Sequence, residues 1–183
     1  MGRILHCDFY DHFIITGPRN NKAKIETENS PETAFFKIAK LGKRIKTPIF
    51  LSRDDNSGTN AKETSIWKSL KMTPWEKDDN WYFKYHTFPK EALLYADQNA
   101  LYTITDWATF MNNADQLNNS TIYVRGGFSL LNQCFALLQK NPSEEALSFL
   151  HYLKSPRAQK IIENFGKDKY GSPLFTKATQ IDF

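Results

Sequence analysis

The chain has 183 residues, long enough for one domain or two small lobes with a buried core. Hydrophobic residues make up 40% and aromatics 14%, which excludes a disordered chain. A net charge of +4 with no dense Lys/Arg block argues against a nucleic-acid arm, and two cysteines exclude a disulfide-dense scaffold or a four-cysteine metal site.

The opening "MGRILHCDFYDHFIITGP" is not a signal peptide, because aspartates and a histidine interrupt its apolar run. Either the protein is cytoplasmic, or residues upstream of Met1 are absent from this chain. No stretch of about 18 apolar residues occurs, so no membrane span is expected. Residues 12–18 read as a strand stopped by Gly17-Pro18. Ser30-Pro31 opens a helix whose apolar face is Ala34, Phe35, Ile38, Ala39 and Leu41, with Gly42 as its expected end. "TPIFLS" (47–52) is a strand, and a helix through Ile66, Trp67 and Leu70 follows. "FPKEALLYADQN" reads as a helix, "ALYTIT" (100–105) as a strand and "DWATFMNN" as a short helix. Strands at 120–127 and 133–139 precede two closing helices, one from Pro142 to Lys154 and one from Ser155-Pro156 to Gly166. Strands alternating with helices give the fold class α/β.

One turn is unusually rich in chemistry. In "SRDDNSGTNAKE" (52–63) a strand leads into a helix through Arg53, Asp54, Asp55, Ser57, Gly58 and Thr59. First-turn backbone N–H groups are unpaired and the helix dipole favours negative charge, so this design can hold an anion. Gly58 would let the backbone approach a ligand, and Arg53 would add a forked donor. Asn60 and Glu63 read as a capping pair that leaves the hydroxyls facing outward. A capped, solvated turn explains the same residues, with Asp54 or Asp55 pairing Arg53 instead. A second strand-to-helix turn, "ALYTITDWATF", offers Thr103, Thr105 and Thr109, with Asp106 as a plausible cap. Paired donor turns at the carboxyl ends of strands are how open α/β sheets build ligand sites.

"YDHFIITGP", "FLSRDDNSGTNAKETSIWK", "ALYTITDWATFM" and "YGSPLF", in that order, resemble the periplasmic tungstate-binding proteins of tungstate ABC transporters. "LKSPRAQKIIENFG" is similar to the closing helix of many type II solute-binding proteins. The resemblance runs from about Cys7 to Phe175. It implies a two-lobed type II periplasmic-binding-protein-like fold that captures an oxyanion and delivers it to a membrane permease. It places anion-binding residues at Arg53, Ser57, Gly58 and Thr59 in the first turn and at Thr105, Asp106 and Thr109 in the second. A tetrahedral dianion such as tungstate or molybdate offers only acceptor oxygens, so the site needs donors and neither a metal nor a cofactor.

Several positions depart from the family's pattern. It usually has Gly where Asp54 stands, Asp where Asn56 stands, His where Asn60 stands and Arg where Trp107 stands. Arg125 replaces what is commonly an acidic residue. The family's opening strand and its threonine- and serine-rich loop have no counterpart here. The resemblance therefore implies one complete lobe, residues 14–123, with residues 1–13 and 124–183 as part of the other. It implies weakened binding, and a homo-oligomer or a separate chain that completes the partial lobe. It also implies a permease partner and a periplasmic or cell-envelope location if an upstream signal peptide exists, and a cytoplasmic one otherwise. A non-transport interaction or sensory protein that keeps the fold without tight binding is the alternative.

No enzyme motif stands out. His6, His12, His86 and His151 lack metal-ligand spacing, and the adjacent pairs Asp54-Asp55 and Asp78-Asp79 would point to opposite faces of an extended chain. "WEKDDNWYFKYHTF" could stack nucleic-acid bases, but it reads better as an amphipathic edge packed on a core.

Overall fold

A computed structural model describes residues 3–26, 30–77 and 79–177, with side chains from Asp8 onward. Asp78 and the side chains of His6 and Cys7 fall outside the described set. Two compact units divide the chain: the residues up to His12 together with those from Leu131 on, and Phe13–Leu130. Strand β1 (Arg3–Pro18) gives its first part to one unit and its last part to the other. It is longer than the expected 12–18 because the earlier residues find a partner strand.

The larger unit holds α1 (Pro31–Ile45), β2 (Phe50–Ser52), α2 (Gly58–Ser69), β3 (Tyr82–Lys84) and α3 (Pro89–Gln98). It continues with β4 (Tyr102–Asp106), α4 (Trp107–Asn113) and β5 (Ser120–Arg125). The strand order is β3-β2-β4-β1-β5. Strands β3, β2 and β4 are parallel, and β1 runs antiparallel to both β4 and β5. Consequently β2, β4 and β5 all end at the same edge of the sheet.

Successive strand residues face opposite sides. Phe50 packs with Phe35 of α1 and Trp67 of α2, in a core that also takes in Phe13, Ile15, Trp81 and Tyr82. Its neighbour Leu51 packs with Ala92 and Ala96 of α3 on the other face. The segment read as an amphipathic edge supplies β3 and two of these rings, with Trp81 and Tyr82 buried. Helix α1 starts as its sequence predicts, with the Ser30 side chain accepting from Thr33 N–H and proline in the first turn. It does not end at Gly42. It runs on to Ile45, and Lys46 closes it in the left-handed conformation by donating to the Gly42 carbonyl at 2.8 Å. Gly42 is required for packing instead: a Cβ there would stand 2.6 Å from the buried Trp81 ring.

Asp97 ties the start of β5 to α3. Its carboxylate accepts from the N–H groups of Asn118 (3.1 Å), Asn119 (2.9 Å) and Ser120 (2.6 Å). Burial alone would raise this carboxyl, but the converging N–H donors and the Ser120 side chain hold it below the usual carboxylate range.

The smaller unit holds β6 (Leu131–Leu138), α5 (Glu144–Leu153), α6 (Pro156–Asn164), α7 (Lys167–Tyr170) and β7 (Thr176–Lys177). Strand β6 pairs along β1 from Arg3↔Leu138 to His12↔Leu131, and β7 pairs with Phe9 and Tyr10. Among the described residues β6 has no second partner strand. Phe135 and Leu137 on one face of β6, Phe149 of α5 and Ile161 of α6 are all exposed. These surfaces are where the expectation of a covering chain rests.

Candidate functional site

The first turn leaves β2 at Ser52, which is fully buried. Asp54 and Asn56 then take the left-handed conformation, with φ of 44° and 58°. Asp and Asn tolerate that region better than other side chains, which gives a physical reason for the glycine that the resemblance places at 54. The Arg53 side chain is partly buried, 11% exposed. Its Nε donates to the Thr87 carbonyl at 3.1 Å, and its Nη2 pairs with Asp55. Those bonds use two of the five guanidinium N–H donors. Asp54 lies instead 3.4 Å from His86 Nε2 and 3.7 Å from Lys84 Nζ. Burial would raise the Asp55 carboxyl, but the Ser57 hydroxyl and N–H and the Arg53 charge hold it below its usual range.

The expected capping pair does not form. Ser57 is the N-cap of α2, and its hydroxyl accepts from Asn60 N–H at 3.3 Å. The Asn60 side chain turns back to accept from Asn56 N–H at 3.1 Å. The Ser57 hydroxyl is therefore engaged at the helix start rather than facing outward. Thr59 is buried, and its hydroxyl has no partner among the described residues. A Cβ on Gly58 would meet nothing within 4 Å, so the space before the helix is open.

Glu63 lies beneath the turn, in a role its sequence context did not reveal. It is 1% exposed and accepts from Ser52 Oγ (2.6 Å), Trp67 Nε1 (3.0 Å) and the Tyr82 hydroxyl (2.6 Å). Ser52 Oγ in turn accepts from Asp54 N–H at 3.2 Å, so the network reaches the turn backbone. Burial pushes the Glu63 carboxyl up to about 7, against the pull of these hydrogen bonds, and burial likewise raises Tyr82. The available signal was position: Glu63 shares the inward face of α2 with Ile66 and Trp67.

The second turn forms at the end of β4, the strand next to β2. Asp106 caps α4, accepting from Thr109 N–H at 2.7 Å and from the Thr109 hydroxyl at 2.6 Å. The Thr109 hydroxyl is thus occupied by Asp106. Thr105 is 4% exposed, and its hydroxyl has no partner among the described residues. Thr103, on the same face of β4, donates its hydroxyl to the Leu51 carbonyl at 2.9 Å. The structure therefore brings Arg53, Ser57, Gly58, Thr59, Thr105, Asp106 and Thr109 to the carboxyl ends of two neighbouring parallel strands. Among the described residues, no group of three His, Cys, Asp or Glu could hold a metal ion.

No family model matches the sequence. A solved structure of a periplasmic protein described as a candidate metal binder is 34% identical, with a TM-score of 0.84 over 98% of this chain and 90% of that one. The tungstate-binding protein TupA of Desulfovibrio alaskensis G20 is 30% identical, with a TM-score of 0.79 over 94% of this chain and 69% of that one. The chain belongs to the tungstate-binding protein family. Its fold is the type II solute-binding-protein fold, shared with solute receptors of much lower identity. The tungstate-binding protein TupA of Peptoclostridium acidaminophilum is 33% identical over 176 residues, which are 91% of this chain and 58% of that protein. The chain thus spans little more than half the length of this curated family member. Among the described residues no helix is long and apolar enough to cross a membrane.

Proposed function

We propose that the chain binds a tetrahedral oxyanion of the tungstate or molybdate class, as part of the solute-binding component of an ABC transporter. The observation that carries this reading is the convergence of two donor-bearing turns at the ends of β2 and β4, one of them opening α2 over empty space at Gly58. First-turn N–H groups of α2, the remaining donors of Arg53 and the hydroxyls of Thr59 and Thr105 supply what four acceptor oxygens require. The chemistry is capture rather than catalysis. Export to the periplasm and delivery to a permease belong to the same reading, supported by one relative described as periplasmic and others described as ABC transporter proteins.

One observation favours the alternative, a protein that keeps the fold for interaction without tight binding. Arg53 and Thr109 already have carboxylate partners, Asp55 and Asp106. Each donor lost to a ligand removes about 1.5–3 kcal/mol when the bond is charge-assisted. The proposed site is therefore weaker than a full shell, with a dissociation constant well above nanomolar. Calorimetric titration with tungstate, molybdate and sulfate tests this. Saturable binding of the two larger anions in preference to sulfate is expected. No heat with any of them leaves the interaction protein as the reading.

A further inference from the structure

Charge bookkeeping at the carboxyl edge of the sheet leaves a gap in the site just described. Arg53 is matched by Asp55, and Asp54 is matched by Lys84 and His86. Asp106 adds a further negative charge, turned onto the Thr109 N–H and hydroxyl. A dianion arriving there would meet donors but little uncompensated positive charge.

Arg125 can fill that gap. It is the last residue of β5, which ends at the same sheet edge as β2 and β4. Ile14 of β1 pairs with Thr105 on one side and with Arg125 on the other, so Thr105 and Arg125 share one rung and one face of the sheet. Two strand spacings, about 10 Å, separate their backbones, a gap that a long arginine side chain can cross. The Arg125 guanidinium does lean that way: its central carbon lies 3.6 Å from the centroid of the Trp107 ring. Trp107 directly follows the cap residue Asp106 in the second turn. It is a firm platform, 5% exposed and stacked on Phe110 with ring centroids 6.4 Å apart. Stacking occupies the face of a guanidinium and leaves its N–H edge available, the geometry in which arginine grips an oxyanion. Among the described residues Arg125 has no carboxylate partner within ion-pair distance. It is also exposed enough for a ligand to reach.

We propose that Arg125, held over Trp107, is a second cation through which this site recognises a dianion, closing the side of the site opposite Arg53. This rests on the oxyanion reading above, and it adds a contact from β5 that neither turn motif contains. Trp107 is a positioning residue in this scheme, because it orients the guanidinium and need not touch the ligand.

The test is calorimetric titration of sodium tungstate into the chain and into Arg125→Ala, Arg125→Lys, Trp107→Phe and Arg53→Ala. Arg125→Ala should weaken binding by about 10- to 100-fold, the worth of one charge-assisted contact. Its affinity should also depend less steeply on salt. Arg125→Lys keeps the charge without the planar fork and should fall between the two. Trp107→Phe shrinks the aromatic platform and should weaken binding by a few-fold, less than Arg125→Ala does. If Arg125→Ala binds tungstate like the unaltered chain while Arg53→Ala does not, the oxyanion reading stands and the role of Arg125 is overturned. If the unaltered chain binds no tungstate at all, the reading itself fails and takes this inference with it.

Discussion

Replacing Glu63 by alanine should lower the free energy of unfolding by about 3–5 kcal/mol near pH 5. The range is that of a broken buried network. The Ser52 hydroxyl, the Trp67 N–H and the Tyr82 hydroxyl all donate to this carboxyl, and alanine strands all three in a buried site. The loss should also depend on pH. The carboxyl sits near 7 in the folded protein against an ordinary 4.5, so the folded state holds its proton more tightly than the unfolded state. The stability that this provides is fully present below about 4.5, is lost as pH rises towards 7, and stays lost above. A shift of this size corresponds to on the order of 3 kcal/mol. Asp55 and Asp97 are displaced the other way and act only below their usual range, so they do not obscure this window. Urea unfolding of the unaltered chain, Glu63→Ala and Glu63→Gln at several pH values checks the account. Stability of the unaltered chain should fall between about pH 5 and pH 8 while that of Glu63→Gln stays nearly level, and parallel curves would refute the buried proton.

Arg53→Ala should weaken tungstate binding by about 100-fold or more, because a forked guanidinium makes two charge-assisted contacts to one anion. Before any ligand arrives it should also cost about 1–3 kcal/mol of stability. The side chain is partly buried, holds the Thr87 carbonyl and neutralises Asp55. Both effects follow from one geometry, in which the ion pair aims the arginine and its unused N–H donors meet the anion. Thermal melts with and without tungstate separate them. A lowered melting temperature with the tungstate-induced rise intact would make Arg53 purely structural.

The elements that sequence reading located well are those fixed by near neighbours. Ser30, Ser155 and Asp106 cap their helices by accepting from the N–H three residues ahead, a bond that needs nothing beyond one turn of chain. The type II fold and the family were legible because the two turns keep their order and composition along the chain. What was not legible depended on distant residues. Gly42 looks like a helix end, and only the Trp81 ring packed against it shows why the helix runs on. Glu63 looks like half of a capping box, and only Ser52 and Tyr82, brought in by β2 and β3, make it a buried acid. Arg53 had two adjacent aspartates to choose from, and the left-handed turn at Asp54 sends that carboxylate to Lys84 and His86 and leaves Asp55 for the arginine. Strand β3 escaped notice because charges interrupt the aromatic run in which it lies.

An oxyanion is expected to lodge where the turns after β2 and β4 meet. Tungsten scatters X-rays anomalously, so a crystal of this chain grown with tungstate locates the ion without assumptions about its ligands. One strong anomalous peak is expected before the N-terminus of α2, within hydrogen-bond reach of the Thr59 N–H and of Arg53, with Thr105 and Arg125 on its far side. A peak elsewhere on the chain, or none at a tungstate concentration that saturates the titration, would contradict it.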